Sequence, residues 1–317
     1  MSLTMNEAEA LFGKMLDGEL SDAETSAILI EMAERDETPD EIAGAIRAMR
    51  ARMISIAAPE GAIDVCGTGG DGAHSLNIST AVAIIVAACE VPVAKHGNRA
   101  ASSQAGAADT LEALGLNLDR AMETAEATLA DLGICFLFAQ KYHPALGKLA
   151  PIRKAIGRRT IFNLTGPACN PAGVKRQLIG VARPDFLPVY AGALQQLGYE
   201  DVMLVAGDEP LDELSISGPS TIVRLGREAE RVSPATAGLP CHPVEALRGG
   251  DAKYNAAALK RLLMGEKGAY RDAVLFNSAA ALIVAGHADD WQSGVEEAAE
   301  AIDKGLAKAL LDCWISF

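Results

Sequence analysis

The chain has 317 residues and a formal net charge of −14; 50% of it is hydrophobic and only 4% aromatic. That suits one large domain plus a small one, with an aliphatic, alanine-packed core. The acidic balance speaks against a general nucleic-acid binder or a protein that coats an anionic membrane, and no apolar run is long enough to span a bilayer.

Three short helices are expected first. Thr4 with Glu7, Ser21 with Glu24 and Thr38 with Glu41 each fit a capping box, and Pro39 sits in a first turn where its missing N–H is harmless. Leu11, Phe12, Met15 and Leu16 make one apolar face. Ile28, Leu29 and Met32 make a second, and Ile42, Ala45, Ile46 and Met49 a third. Helices this short cannot cover all three faces among themselves, so they are expected to pack on later helices or on a second subunit. Residues 57–61 break the pattern. The expected division is a helical domain over 1–60, joined by later helices near 144–175, and an α/β domain over 61–317.

An apolar strand over 63–66 enters a loop of Gly67, Thr68, Gly69, Gly70, Asp71 and Gly72. A second strand over 91–94 enters Lys95, His96, Gly97, Asn98 and Arg99, with a buried crossover helix over 79–89 between them. This is a βαβ pattern, and ligands in such sheets collect at the carboxyl ends of the strands. Glycines let backbone N–H groups and the next helix N-terminus approach negative charge. Thr68, Ser75, Asn77, Ser79 and Thr80 add hydroxyls and an amide; Lys95 and Arg99 add fixed positive charge. A phosphate-bearing ligand is the expectation.

Further on, helices are expected over 105–114 and 124–132 and a strand over 134–139. A helix over 142–154 should end or kink at Pro151. A loop is expected over 166–173, strands over 178–182 and 202–206 around a helix at 184–197, and a late strand over 220–225. From 251 the chain reads as mostly helix. The six cysteines, Cys66, Cys89, Cys135, Cys169, Cys241 and Cys313, form no C-x-x-C pair, which suits reduced thiols in a cytoplasmic protein. No P-loop, H-E-x-x-H or G-x-S-x-G motif is present. Asp212 and Glu213, taken alone, read as a solvated turn.

The combination GTGGDG, NIST and KHGNR followed by Ser102 and Ser103 resembles the anthranilate phosphoribosyltransferase family. So do YHPALGKLAPIRKAIGRRTIFNLTGPACNPA, LDELS and LRGGD, and the likeness runs from Glu7 to the last helix. It implies a small N-terminal helical domain and a large α/β domain with a mostly parallel central sheet flanked by helices, a fold shared with nucleoside phosphorylases. It implies phosphoribosyl transfer to the amine of anthranilate, Mg²⁺, and a homodimer through the helical domain. No side-chain nucleophile is expected.

By resemblance Gly70, Asp71, Lys95, Asn98, Arg99, Ser102 and Ser103 meet phosphoribosyl diphosphate, while Gly67 and Asn98 also touch anthranilate. Arg153 matches the arginine that the family uses for anthranilate. Ser75, Asn77, Ile78, Thr80, His96 and Gly97 are further substrate-binding candidates in the same motifs. Ser79, Asp212 and Glu213 are implied Mg²⁺ ligands, since Mg²⁺ takes one or two carboxylates and fills its shell with substrate phosphates and water. His96 and His143 stay open between base and structural roles. The departures are Ala107 where many members carry a phosphate-contacting Ser, Ser75 for the usual Thr, and Gln140 for a frequent Pro. Two other readings of the fold are a pyrimidine nucleoside phosphorylase, against which KHGNR and LDE speak, and a non-catalytic nucleic-acid-binding module, against which the charge speaks.

Overall fold

The computed structural model describes residues 2–100, 104–209 and 211–317. Its strands are apolar on both faces, as parallel strands covered by helices must be. In Asp201–Gly207, for instance, Met203 and Val205 enter one core while Val202, Leu204 and Ala206 enter the other. Seven strands result: β1 (Ile63–Gly67), β2 (Val93–Gly97), β3 (Ile134–Phe138), β4 (Arg176–Gly180), β5 (Asp201–Gly207), β6 (Ser220–Arg224) and β7 (Glu230–Val232). They form one sheet in the order β3-β2-β1-β4-β5-β6-β7, parallel from β3 through β5 and antiparallel for β6 and β7. The strand order reverses between β1 and β4, so the topological switch point lies at the carboxyl end of β1.

The N-terminal helices are α1 (Met5–Asp17), α2 (Asp22–Arg35) and α3 (Pro39–Arg50), each opened by the expected capping box. Phe12, Leu16, Leu29, Ile42 and Ile46 are fully or nearly fully buried. Their cover comes from this same chain: Leu149, Ile152, Phe162 and Leu164, and also Tyr190 and Leu194 of the helix Leu187–Gln196. The second-subunit alternative is therefore not needed to bury these faces. The crossover helix α4 (Ile78–Ala88) is apolar all round beyond its first turn and buried from Thr80 to Ala87. With α5 (Ala107–Leu114) and the helices Ala252–Leu263, Ala269–Ala285, Trp291–Asp303 and Leu306–Ser316, it covers the other face of the sheet.

Several expected elements shift. Lys95 and His96 belong to β2 rather than to the loop after it, and both are buried. Residues 142–154 are not one helix: a 3₁₀ turn, Pro144–Lys148, precedes the helix Ala150–Ile156. Pro151 opens that second helix instead of ending the first, because an early-turn position needs no N–H donor. Gly166, Pro167 and Ala168 close a helix, Phe162–Ala168, that the expected loop had absorbed. Strand β7 and the helix Leu118–Glu123 had no expectation at all.

Candidate active site

A cavity of about 360 Å³ opens at the carboxyl ends of β1 and β2. On the sheet side it is lined by residues 66–71, 74–79 and 95–100 with Asp212 and Glu213, and on the bundle side by Met49, Leu146, Arg153, Phe162 and Gly166. The glycine loop after β1 has Gly69, Gly70 and Gly72 at φ between 69° and 79°, a region that glycine enters without strain. Gly67 serves differently: a Cβ there would collide with the Asp212 carboxylate, and one at Gly180 with the Asp212 carbonyl. Two missing side chains make room for one acidic residue.

Asp212 and Glu213 are brought against the loop and the start of α4. Asp212 Oδ2 accepts the Gly69 N–H at 2.7 Å, and Glu213 Oε1 accepts the Ser79 N–H at 3.2 Å. Burial pushes the Asp212 carboxyl up to about 7, with repulsion from Asp71 adding to it. Burial pushes Glu213 up to about 8, with Asp212 as the next cause. The solvated-turn reading of this pair is thus overturned: the turn is enclosed. Asn277 holds the turn from the far side, its Oδ1 accepting the Leu214 N–H at 2.9 Å and its Nδ2 donating to the Leu214 carbonyl at 3.2 Å.

Lys95 projects beneath the loop, donating to the Val65 carbonyl at 2.8 Å and to the Ser79 hydroxyl at 3.4 Å. Arg99 lines the cavity, but its guanidinium is paired with Asp109 at 2.7 Å and Glu112 at 2.9 Å. Asp71 makes a local turn through the Ala73 N–H and reaches the Asp212 N–H at 3.4 Å. Gly70, Ser75, Asn77, Ile78, Gly97 and Asn98 also line the cavity. The Ile78 N–H is already bonded to the Leu76 carbonyl, and Asn98 Oδ1 accepts the Arg99 N–H. Thr80 is a correction: it is buried in the packing of α4, its hydroxyl has no partner among the described residues, and it does not line the cavity. One step along a helix turns a side chain by about 100°, which carries Thr80 away from the face that holds Ser79. Ser102 and Ser103 lie outside the described residues.

Arg153 stands across the cavity, half-buried, with its guanidinium 5.7 Å from the centre of the Phe162 ring and no ion pair among the described residues. Burial lowers its pKa from the ordinary arginine value. His96 and His143 face each other on the same wall, Nε2 to Nε2 at 3.2 Å. Burial brings His96 down to about 3, with His143 as the next cause, and burial brings His143 down to about 4. Both rings are neutral at pH 7. Beneath them the buried Asp64 accepts from the His96 N–H, Asn170 and Gln177, tying β1, β2 and β4 to the loop behind the wall. Sequence reasoning missed Met49, which read only as core, Leu146 and Phe162, which were not singled out, and His74, which lines the cavity at φ 51°.

A helical bundle joined to this sheet, with a glycine loop and an acidic pair at the switch point, is the architecture of a glycosyl transferase family. The α/β domain of the glycosyl transferase family matches residues 59–308, and its helical bundle domain matches residues 1–53. Anthranilate phosphoribosyltransferase of Novosphingobium aromaticivorans is 65% identical over 314 residues, 98% of this chain and 95% of that protein. The crystal structure of anthranilate phosphoribosyltransferase from Thermus thermophilus superposes with a TM-score of 0.94 at 40% identity, covering 100% of this chain and 96% of that one. The Saccharomyces cerevisiae enzyme in complex with PRPP and Mg gives 0.91 at 27% identity over 99% and 93% of the two chains. The chain belongs to the anthranilate phosphoribosyltransferase family.

Proposed function

We infer that the chain transfers the phosphoribosyl group of 5-phosphoribosyl 1-diphosphate to the amine of anthranilate. The products are N-(5-phosphoribosyl)anthranilate and diphosphate, in the second step of tryptophan synthesis from chorismate. One observation carries the reading: an enclosed, unneutralised acidic pair beside a glycine loop faces an unpaired arginine across a single cavity. The first half suits a polyphosphate with a divalent cation, the second a planar aromatic carboxylate. Neither a nucleoside phosphorylase nor a nucleic-acid module accounts for both halves.

The Mg²⁺ requirement fits this chain's donors. Half-buried Asp212 and buried Glu213, both with raised pKa values, have one backbone N–H apiece and no ion-pair partner among the described residues. No group of three or more His, Cys, Asp or Glu that could cage a metal occurs among the described residues, which agrees with an ion shared with substrate phosphates. Ser79, Asp212 and Glu213 would hold it, directly or through water. Bound there, the ion supplies Lewis-acid neutralisation of the charge that develops on diphosphate.

The reaction breaks the C1–O bond, with the electron pair leaving on diphosphate, and forms a C1–N bond from the amine lone pair; the amine then loses a proton. The chain's own task is to hold two substrates in line and to place donors where negative charge grows. Gly70, Asp71, Ser75, Lys95, Asn98 and the start of α4 take the phosphoribosyl diphosphate end. Arg153 grips the anthranilate carboxylate, with Gly67, His96, Gly97 and Asn98 beside it. In this reading residues 1–60, with 144–175, supply the acceptor wall, and 61–317 supply the phosphoribosyl side. The neutral His96–His143 pair shapes that wall. We also propose a homodimer through the helical domain. A cytoplasmic setting suits the six free cysteines and the absence, among the described residues, of a helix long and apolar enough to cross a membrane. The decisive assay follows anthranilate fluorescence with phosphoribosyl diphosphate and Mg²⁺. Consumption of anthranilate that needs both additions is expected, and none at any enzyme concentration would overturn the reading.

A further inference from the structure

An amide side chain costs free energy inside an apolar helix unless all its polar atoms are bonded. Asn277 sits in the middle of the helix Ala269–Ala285 and is wholly buried, as are Val274, Phe276, Ala280 and Ala281 of the same helix. Its amide is fully used. Oδ1 accepts the Leu214 N–H at 2.9 Å, while Nδ2 donates to the Leu214 carbonyl at 3.2 Å and to the Ala273 carbonyl at 2.9 Å. One side chain thus holds both peptide groups of Leu214, the residue that follows Asp212 and Glu213. A peptide unit is planar, so fixing the Glu213–Leu214 plane fixes the backbone from which the Glu213 carboxylate is aimed. The Ser215 N–H donates to the Ser220 hydroxyl oxygen at 2.9 Å and holds the next peptide in turn.

Tyr270 belongs to the same helix, two turns before Asn277. That spacing puts the two side chains on one face, roughly 10 Å apart along the axis. The Tyr270 hydroxyl donates to the Asn77 carbonyl at 3.1 Å. Asn77 immediately precedes α4, and its Oδ1 is held by Asn255 Nδ2 at 2.9 Å and by the Thr110 hydroxyl at 2.5 Å. Just beyond it stands Ser79, whose N–H donates to Glu213 Oε1. A single helix therefore grips the chain beside Ser79 at one end and beside the acidic pair at the other. It packs against both α4 and β5, the elements that carry these two segments. Neither Tyr270 nor Asn277 lines the cavity.

We propose that Tyr270 and Asn277 are positioning residues that, from one face of one helix, set the separation between Ser79 and the Asp212–Glu213 pair, the groups that would hold Mg²⁺. The inference rests on the reading of the cavity given above. A metal shell shared between two distant stretches of chain needs their spacing fixed, because a small misplacement of either costs much of the binding. The helix supplies that spacing through hydrogen bonds to main-chain groups, so it acts on the ligand set without touching it.

Titration calorimetry with phosphoribosyl diphosphate tests it, run once in EDTA and once in Mg²⁺, on the full chain and on Asn277→Leu, Asn277→Ser and Tyr270→Phe. Asn277→Leu keeps the volume and removes both bonds to Leu214. Asn277→Ser leaves room for a water to satisfy those peptide groups without fixing their plane. Mg²⁺ should tighten binding to the wild type, and each variant should lose about tenfold of that gain. Binding in EDTA and KM for anthranilate should both stay within about twofold. A merely structural role would weaken binding equally in the two arms or raise KM for anthranilate as well, and either result would overturn the proposal. Variants that keep the full Mg²⁺ gain would overturn it while leaving the cavity reading intact. A wild type that gains nothing from Mg²⁺ would overturn the metal assignment and the proposal together, and one that binds no phosphoribosyl diphosphate would overturn the cavity reading too. Where the Asn277 variants fail to fold, Tyr270→Phe, which removes one hydroxyl, decides by the same titration.

Discussion

Among the described residues, Arg153 is the one cation of the cavity whose side chain has neither an ion pair nor a hydrogen bond, and its planar fork can bind a carboxylate through two parallel hydrogen bonds. Arg153→Ala should raise KM for anthranilate about tenfold or more, as losing a charge-assisted bond of roughly 1.5–3 kcal/mol requires. KM for phosphoribosyl diphosphate should move little, and Arg153→Lys should not restore affinity. Steady-state kinetics with each substrate varied separately would place Arg153 elsewhere if both constants rose together. The acidic pair makes a prediction about pH. A carboxyl with a raised folded-state pKa gives stability that is present below its unfolded pKa and is lost as pH rises through the folded one. For Asp212 and Glu213 those folded values are about 7 and about 8. His96 and His143, held down to about 3 and 4, act in the opposite sense but only below the ordinary histidine range of about 6.5. Between about pH 6.5 and 8, then, the metal-free protein should lose melting temperature as pH rises. Asp212→Asn with Glu213→Gln should flatten that slope in a calorimetric series, and an unchanged slope would deny the pair its raised values. Gly67→Ala tests the same residue from the other side. A methyl group there should expel the Asp212 carboxylate and lower kcat by about a hundredfold, comparable to losing one strong electrostatic element.

Among the elements, α1 and α3 cross at Gly44, where a Cβ would sit 2.6 Å from the Ala8 Cβ and 2.8 Å from the Glu9 nitrogen. Helix propensity alone favours Gly44→Ala by about 1 kcal/mol. The collision is with backbone, which cannot rotate away, and overpacking of this kind costs about 1–3 kcal/mol. The expected outcome of a denaturant titration is therefore net destabilisation, and a stabilised variant would show that the two helices separate freely. What the sequence made legible at this scale was local chemistry. The three capping boxes, the glycine loop and the apolar runs of β1 through β5 are each written within a few neighbouring residues. Lys95 and His96 were read as loop because charge and imidazole are rare inside strands. They are buried because distant groups receive them, Val65 and Ser79 for the lysine, Gly166 and His143 for the histidine. Pro151 was read as a helix end where it is a helix start, a choice that depends on where the preceding turn stops. Strand β7, three residues long with two of them exposed and charged, carries no apolar signal to read. Asn77 was read as a ligand group, and its side chain is engaged by residues up to 178 positions away.

Over the whole molecule, the two larger cores lie on opposite faces of one sheet, a smaller cluster around Ala94, Cys135 and Leu137 adds a third, and the bundle shares the second core with the helix Leu187–Gln196. The proposed homodimer must therefore use the outer surface of the bundle rather than an uncovered apolar face. Light scattering at micromolar concentration should give twice the chain mass, and a monomer there would remove the dimer.

The clamps around the cavity also set when, during its own synthesis, this protein can first work. The Asn255–Asn77 bond spans 178 residues and the Tyr270–Asn77 bond 193. The grip of Asn277 on residue 214 spans another 63. At roughly 5–20 residues per second, a ribosome needs on the order of ten to forty seconds after making the glycine loop before the residues that shape it exist. A nascent chain that already contains every cavity-lining residue, the last being Glu213, still lacks all three anchors, Asn255, Tyr270 and Asn277. Competence to bind substrate is thus deferred to the last part of translation, and chains stalled shortly after Glu213 should emerge with the whole site written and none of it set.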